Sequence, residues 1–359
     1  IKVRPTVMPL GQLIFCAGDT LELTTEPALA YQWSTGDTTQ TIKVTATGNY
    51  SITIIDSFWV YDDTLQCQLT SDSVGVYVKS LPDIIPTSDI EYCNGDTTIT
   101  ITFNSTSDST VLNWAGSTNL IGLSQNGNGN IPSFTAVNTG NTTILDTIIV
   151  TPFRNDCYGK PDTFTIAVHP TPVIDTISNQ AICNGHNSTI VQFNSSVLGT
   201  QFTWTNTDTS IGLAASGNNS FPVFTAQNQT NTPVVASVTL IGTYSGCSSI
   251  SENFTITVNP TPDIDTVTGQ ELCNGVSTTT INFTGSVNGT TYNWTNDKTS
   301  IGLSATGTNT IASFTGNNQT NLPITANIIV TPVANQCTGQ QETFSITVNP
   351  TPSVNNVSN

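Results

Sequence analysis

Three copies of one 90-residue unit, in register without insertion or deletion, fill most of this 359-residue chain. "YCNG" (92–95), "ICNG" (182–185) and "LCNG" (272–275) are 90 apart, as are Trp114, Trp204 and Trp294, the "IGL" triplets at 121, 211 and 301, and Cys157, Cys247 and Cys337. A fixed period of this kind decides the architecture before any local reading does. Ninety residues is too long for one coil of a solenoid and suits a self-contained sandwich domain.

Inside one copy, apolar residues alternate with period two. "TIVQFN" (189–194), "TQFTWTN" (200–206), "FPVFTAQN" (221–228), "VVASVTLIGTY" (234–244) and "NFTITVN" (253–259) read as strands. Thr, Val, Ile and aromatics fill them, and "NTDTS" and "SGNN" supply turn chemistry between them. Helical periodicity is absent. The expected fold class is all-β: tandem antiparallel β-sandwich modules, Ig-like or PKD-like, in an extended rod. Each unit ends in a strand followed by Pro-Thr-Pro, as in "TIAVHPTPVID" (165–175), "TITVNPTPDID" (255–265) and "SITVNPTPSVN" (345–355). Pro172, Pro262 and Pro352 therefore mark linkers, where paired prolines fix φ and restrict the residues before them. Four modules of roughly 40 Å in series would span roughly 160 Å.

The boundaries follow from this punctuation. Residues 7–81 form a shorter relative, with Trp33 placed 17 residues after Cys16 where Trp114 stands 21 after Cys93. Residues 82–171, 172–261 and 262–351 are repeats 1, 2 and 3. "IKVRPT" at 1–6 resembles the end of a preceding module and "PTPSVNNVSN" at 350–359 the start of another, so 1–6 and 352–359 read as parts of neighbours in a longer array.

Eight cysteines fall two to a module, with no CxxC and only two histidines in the chain. That favours disulfides over metal. The expected bridges lie within modules: Cys16–Cys67, Cys93–Cys157, Cys183–Cys247 and Cys273–Cys337. Each would close some 65 residues and contribute roughly 4 kcal/mol in the chain-entropy account, in an oxidising compartment. Trp33, Trp114, Trp204 and Trp294 lie mid-strand with apolar alternation around them and are expected to anchor cores rather than stack on a ligand.

The charge is lopsided, with 7 Lys and Arg against 24 Asp and Glu and a net charge of −17. Phosphate would be repelled, so nucleic acid is excluded as a partner, and so is an anionic lipid surface. No run of 18 apolar residues is present, and direct membrane insertion is not expected. Past Lys160 only Lys298 is basic, which leaves trypsin-like proteases few sites.

The pattern C-N-G, a strand, a W-T-N or N-W segment, "IGL", a Gly-Cys or Cys-x-Gly turn and F-x-I-x-V-x-P-T-P resembles the PKD-like/Ig-like repeats of giant Bacteroidota cell-surface proteins, of which SprB-type gliding adhesins are the best-known class. The N-terminal "CAGDTLEL…YQWSTGDTTQTIKV…GNYSITIID" resembles a companion module of the same proteins. The resemblance implies type IX secretion, an extracellular location attached to the outer membrane, and a part in attachment or gliding motility. Similar modules also decorate secreted hydrolases.

Catalytic chemistry finds no constellation. His169 stands in "VHPTP" and His186 follows a Cys-Asn-Gly whose counterparts continue with Asp96 and Val276, so both read as surface residues without a triad. Asp263 and Asp265 read as a solvated edge rather than a glycosidase pair, and no D-x-D-x-D-G calcium loop is present. No catalytic, cofactor-binding or metal residue is expected, and no cofactor. One polar pattern stands out: of 18 Asp residues, 12 precede Ser or Thr, and nine of those continue with Leu, Val, Ile or Thr. The hydroxyl residues are Thr20, Thr38, Thr64, Ser73, Thr97, Ser109, Thr147, Thr176 and Thr266. The motif resembles the Bacteroidota O-glycosylation acceptor, and it is equally the signature of Asx-turns at strand starts. The expected function is a non-catalytic structural or adhesive stalk segment of a long surface fibre. Its partners would be neighbouring modules of the same chain, with surface glycans or other copies of the fibre as further candidates. The alternatives are an accessory array on a secreted hydrolase and a glycan-binding module.

Overall fold

The structure, a computed structural model, describes residues 4–60 and 63–352. Residues 353–359, read above as the start of a further module, and residues 1–3 of the N-terminal fragment lie outside the described residues. The chain is all-β, and among the described residues there are two single-turn 3-10 helices, at Thr209–Ile211 and Thr299–Ile301. It divides after Pro170 into two compact units.

The three repeats share one sheet plan. In repeat 2 the order is Gln180–Cys183, Glu252–Asn259, Val234–Tyr244, Gln201–Asn206, Ser216–Asn218, with Cys247–Ser248 folded back on Val234–Tyr244. Repeats 1 and 3 reproduce it. All these pairings are antiparallel except the first: Gln180–Cys183 runs parallel to Glu252–Asn259, and its counterparts in the other two repeats do the same. The expectation of a purely antiparallel sandwich is corrected at that edge. A connection of about 75 residues, far beyond hairpin range, is long enough to permit the parallel pairing.

Alternation fixes which face is buried. Gln201–Asn206 reads exposed, buried, exposed, buried, so that Phe202 and Trp204 enter a core with Ile211, Leu213, Phe221, Val238, Leu240, Phe254 and Ile256. Each of these buried side chains contributes roughly 1.5–3 kcal/mol relative to exposure. The equivalent cores surround Trp114 and Trp294. In repeats 2 and 3 the indole N–H donates to a backbone carbonyl, that of Ser220 or Thr310.

Two expected strands of repeat 2, 189–194 and 221–228, carry only isolated bridges, Asn187↔Thr225 beside them and Ile174↔Ser195 at the first one's edge. The reason is a hydroxyl. Ser188 is buried, its N–H donates to the Phe224 carbonyl, and its Oγ accepts the Phe224 N–H. Thr98 and Thr278 take the Phe134 and Phe314 N–H groups in the same way. A side-chain oxygen thus stands in for one rung of the ladder, and the segments pack as a second layer without forming a continuous one.

The N-terminal module holds three three-stranded sheets. Its core gathers Leu21, Leu23, Trp33, Ile42, Val44, Ile52 and Ile54. Its first residues are tied down by one acid. Glu26 accepts from the Thr6 hydroxyl at 2.6 Å and the Thr6 N–H at 3.1 Å. The Thr6 hydroxyl, ahead of the Thr6 and Thr25 donors, holds the Glu26 carboxyl at about 2, below its ordinary 4.5. A depressed carboxylate stabilises the fold above its unfolded value and loses that contribution as pH falls through its folded one. Acidification from pH 4.5 to about 2 is therefore expected to release Thr6. Amide NMR should show the Thr6 N–H shift moving upfield across that window, and Glu26→Gln should flatten the curve. The side chain is largely exposed, so solvent keeps the stability change small.

Candidate functional site at the module junctions

The chemistry of this chain concentrates where one module hands over to the next. Each Cys-Asn-Gly stands at the end of the parallel edge strand, beside the exit of the last strand. In repeat 2, Cys183 is in register with Asn259, and the Asn184 N–H donates to the Asn259 carbonyl at 2.9 Å. Gly185 turns the chain with φ of 81°, a conformation that costs glycine little. The Asn184 side chain then works in two directions. Its Oδ1 accepts the Asn228 N–H at 2.9 Å, and its Nδ2 donates to the hydroxyl of Thr261, the middle residue of Pro-Thr-Pro. Asn274 does both in repeat 3, to Asn318 and Thr351.

Behind this turn lies a buried asparagine. Asn228 donates to the Val258 carbonyl at 2.7 Å and the Thr232 carbonyl at 2.9 Å. Asn138 and Asn318 make the same pair of bonds 90 residues away. Satisfied buried amides of this kind hold the last strand, the Cys-Asn-Gly turn and the linker as one body.

The linker packs as well. Pro172 and Pro262 are buried and Pro352 is exposed. The Pro262 carbonyl lies so close to Gly339 that a Cβ there would come within 1.7 Å of it. Gly339 in turn donates its N–H to the Pro332 carbonyl. Gly159 meets Pro82 and Pro152 in the same arrangement. In repeat 2 the pair is Gly242 and Ser249, where the Ser249 Oγ accepts the Gly242 N–H that a proline would lack.

The cysteines close the junction, and they do so between modules. Cys16 is bonded to Cys157 and Cys183 to Cys337, with Cα–Cα distances of 5.7 and 5.6 Å. Cys93 and Cys247 are also disulfide-bonded, while Cys67 and Cys273 are free. All four expected intramodule bridges, Cys16–Cys67, Cys93–Cys157, Cys183–Cys247 and Cys273–Cys337, are corrected by this. The geometry explains why. The first cysteine of a module ends the parallel edge strand, beside the last strand that leads to the linker, whereas the second follows a two-residue hairpin turn with both φ positive: Asn155 and Asp156, Ser245 and Gly246, Asn335 and Gln336. In each observed bridge, the strand-end cysteine of one module meets the turn cysteine of the next. A polar contact flanks it: the residue in register with the first cysteine reaches the turn carbonyl beside the second. Lys79 Nζ donates to the Asn155 carbonyl at 2.8 Å, and Asn259 Nδ2 donates to the Asn335 carbonyl at 3.3 Å.

Cys67 differs from the other second cysteines in its surroundings and matches them in register. Counting from the residue opposite the core Trp, Cys67 faces the fourth residue on, Asp56, as Cys157 faces Arg154 and Cys337 faces Ala334. The hairpin simply stays paired beyond this point, Ser57–Val60 with Asp63–Gln66.

Trp33, Trp114, Trp204 and Trp294 are each no more than 5% exposed. Asp263 Oδ1 accepts from the Ser286 N–H and hydroxyl, and Asp265 Oδ2 from the Thr284 hydroxyl, so each acid pins its own module's start. His186 is exposed, but His169 is buried and bonded to Thr143 through Nδ1. The surface reading of His169 is corrected, because it occupies the strand-end position that Asn259 fills in repeat 2. Among the nine hydroxyls that follow Asp, Thr20, Thr38, Thr64, Ser73, Thr97, Ser109, Thr176 and Thr266 are exposed and Thr147 is half-buried. Among the described residues no group of three His, Cys, Asp or Glu is placed to hold a metal, and no helix is long and apolar enough to cross a membrane.

No family model matches the chain, and no curated protein matches it. Among solved structures it is similar to a three-immunoglobulin-domain fragment of titin, at 8% identity and a TM-score of 0.45, over 76% of this chain and 99% of that one. It is also similar to the eight N-terminal Ig domains of the Down syndrome cell adhesion molecule, at 11% identity and a TM-score of 0.40, over 97% of this chain and 49% of that one. Drosophila N-cadherin EC1–4 is similar at 10% identity and a TM-score of 0.31, over 85% of this chain and 84% of that one. At these scores no activity or partner follows.

Proposed function

We propose that the chain is a non-catalytic spacer in an extracellular surface fibre, a stalk that holds an adhesive element away from the cell. The observation that carries this reading is the double joint: successive modules are connected once through a proline-containing linker, at Pro82 or at Pro260-Thr261-Pro262, and again through a disulfide, Cys16–Cys157 or Cys183–Cys337. A second covalent connection gives nothing to a hydrolase that needs only a tethered accessory domain, and it resists bending where a stalk must transmit position. Disulfides also need an oxidising compartment. The module boundaries near residues 81, 171, 261 and 351, the SprB-type gliding adhesin class, type IX export and outer-membrane attachment belong to the same proposal and rest on the sequence resemblance.

O-glycosylation of the hydroxyls after Asp is part of it. Sugar on exposed Thr176 and Thr266 would sit four residues past a linker proline, shielding strand edges and obstructing proteases. Labelling intact source cells with an antibody fragment raised against the chain is expected to decorate the cell surface. The isolated chain, added in excess, is expected to leave attachment unchanged, since a spacer carries no ligand site. Label confined to lysed cells would overturn the location, and competition by the isolated chain would move the adhesive face into these modules.

A further inference from the structure

Two cysteines stand free in a chain whose other six are bonded, and Cys273 is the exposed one. It sits in the same backbone frame as Cys183. Cys273 is in register with Asn349 as Cys183 is with Asn259. The next N–H, that of Asn274, donates to the Asn349 carbonyl at 2.8 Å, and the Gly275 N–H donates to the Gly316 carbonyl as Gly185 does to Ala226. The linker leaves in the same way, since Asn274 holds Thr351 as Asn184 holds Thr261. The residue that would flank a bridge is also in place. Asn349, the counterpart of Asn259, has its carboxamide on the exposed Glu271 carboxylate at 2.9 Å instead of a turn carbonyl.

We propose that Cys273 is the open half of a further clasp, and that it takes the turn cysteine of a β-sandwich module of this repeat type joined after Pro352. The second, independent observation is that the same position already holds such a hairpin twice in this chain, at Cys16 and at Cys183. The occupant is therefore defined by its chemistry. It is a hairpin with a two-residue left-handed turn, a carbonyl on the first turn residue for Asn349 to reach, and a cysteine directly after the turn. Cys67 of a second copy meets the register of that description, but its hairpin stays paired beyond it, Ser57–Val60 with Asp63–Gln66, so that Cys67 does not directly follow a turn. Closing the clasp oxidises two thiols to one disulfide. The two electrons and two protons pass to a disulfide oxidant such as glutathione disulfide. The Cys273 thiolate attacks it and expels one glutathione thiol, and the turn cysteine then displaces the second.

The test extends the full chain after Pro352 with a second copy of residues 263–351, folded in a glutathione redox buffer and mapped by non-reducing peptide analysis after thiol alkylation. Cys273 is expected in a disulfide with the copy of Cys337, leaving Cys67 and the copy of Cys273 as the alkylated thiols. In the same extended chain Cys273→Ser should leave the copy of Cys337 alkylated. A chain extended instead with residues 173–261 offers the copy of Cys247 and guards against one appended repeat failing to fold; resistance of the appended repeat to native-state proteolysis identifies the folded product. Quantitative alkylation of Cys273 beside a folded appended repeat would overturn the proposal. So would a Cys273–Cys67 disulfide between two copies, which would make the occupant a second molecule.

Discussion

Pulled from its two ends, the oxidised chain is expected to lengthen by no more than about 90 Å between Cys16 and Cys337, whereas the reduced chain should extend to a total of about 1,100 Å between the same residues at 3.3–3.6 Å per residue. The difference follows from where the bridges lie. Cys16–Cys157 takes 141 residues out of the load path and Cys183–Cys337 takes out 154, so tension passes from one bridge to the next through residues 157–183 alone. Intramodule bridges would have left every linker and much of every module in the path. Even the remaining segment is not slack, because it contains the strand Asp162–His169, paired on both sides, and Gln180–Cys183. In single-molecule force spectroscopy, the oxidised chain should show no step of the size of a whole module. After reduction, steps of roughly 300 Å less the folded length should appear, one per 90-residue repeat. Whole-module steps in the oxidised protein would mean that the bridges do not carry the load, and the stalk reading would lose its main support.

The bridges also shape the unfolded ensemble. A loop of about 150 residues is worth about 5 kcal/mol in the chain-entropy account, an upper figure where loops coexist. Unfolding one module leaves its neighbour's cysteine holding the chain, so local failure does not become loss of reach.

What the sequence makes legible here is whatever repeats. The period gives three modules' worth of strand, the alternation around Trp204 gives the buried face, and Pro-Thr-Pro marks where the chain leaves a sheet in those three. The cysteine partners are not legible in that way. Two cysteines per module are equally consistent with bridges inside modules and bridges between them, and only the three-dimensional position of strand end against hairpin turn decides. The buried asparagines were within reach, since Asn138, Asn228 and Asn318 also stand 90 apart; polar residues in an Asn/Thr-rich chain simply do not stand out against their background. Repeat 1 shows a subtler loss. Gly116 replaces Asn206 and Asn296, and Asp146 replaces Ala236 and Ala326. The Asp146 carboxylate accepts from the Ser117 hydroxyl and the Thr118 N–H, where Asn206 donates to loop carbonyls in repeat 2. Two departures from the repeat thus compensate each other in space, although 30 residues separate them in sequence.

Gly217→Ala is expected to destabilise repeat 2 by about 2–3 kcal/mol, the upper part of the range for overpacking a rigid core. Gly217 does not have a positive φ, so its backbone conformation would accept alanine. Its necessity comes from contact. A Cβ at Gly217 would lie 2.5 Å from Cζ2 of Trp204, and Gly127 and Gly307 stand in the same relation to Trp114 and Trp294, at 2.3 and 2.2 Å. The glycine strand passes directly over the indole, and the indole is held in place by its N–H bond to the Ser220 carbonyl at 2.9 Å. Either the ring tilts and gives up that bond, or the edge strand Ser216–Asn218 lifts from Gln201–Asn206. Hydrogen-exchange mass spectrometry on the whole chain separates this from a general loss of stability, since 1.4 kcal/mol corresponds to tenfold in the opening equilibrium. Amides of Gln201–Asn206 and Val234–Tyr244 should exchange roughly 30- to 150-fold faster, and those of repeat 3 should be unchanged. Trp204→Leu in the Gly217→Ala background should recover part of the packing loss, giving a coupling between the two positions of the order of 1 kcal/mol or more. A variant whose repeat 2 exchanges at the parental rate would show that the indole can leave the glycine strand freely, and the assignment of Trp204 as the anchor of that core would fail.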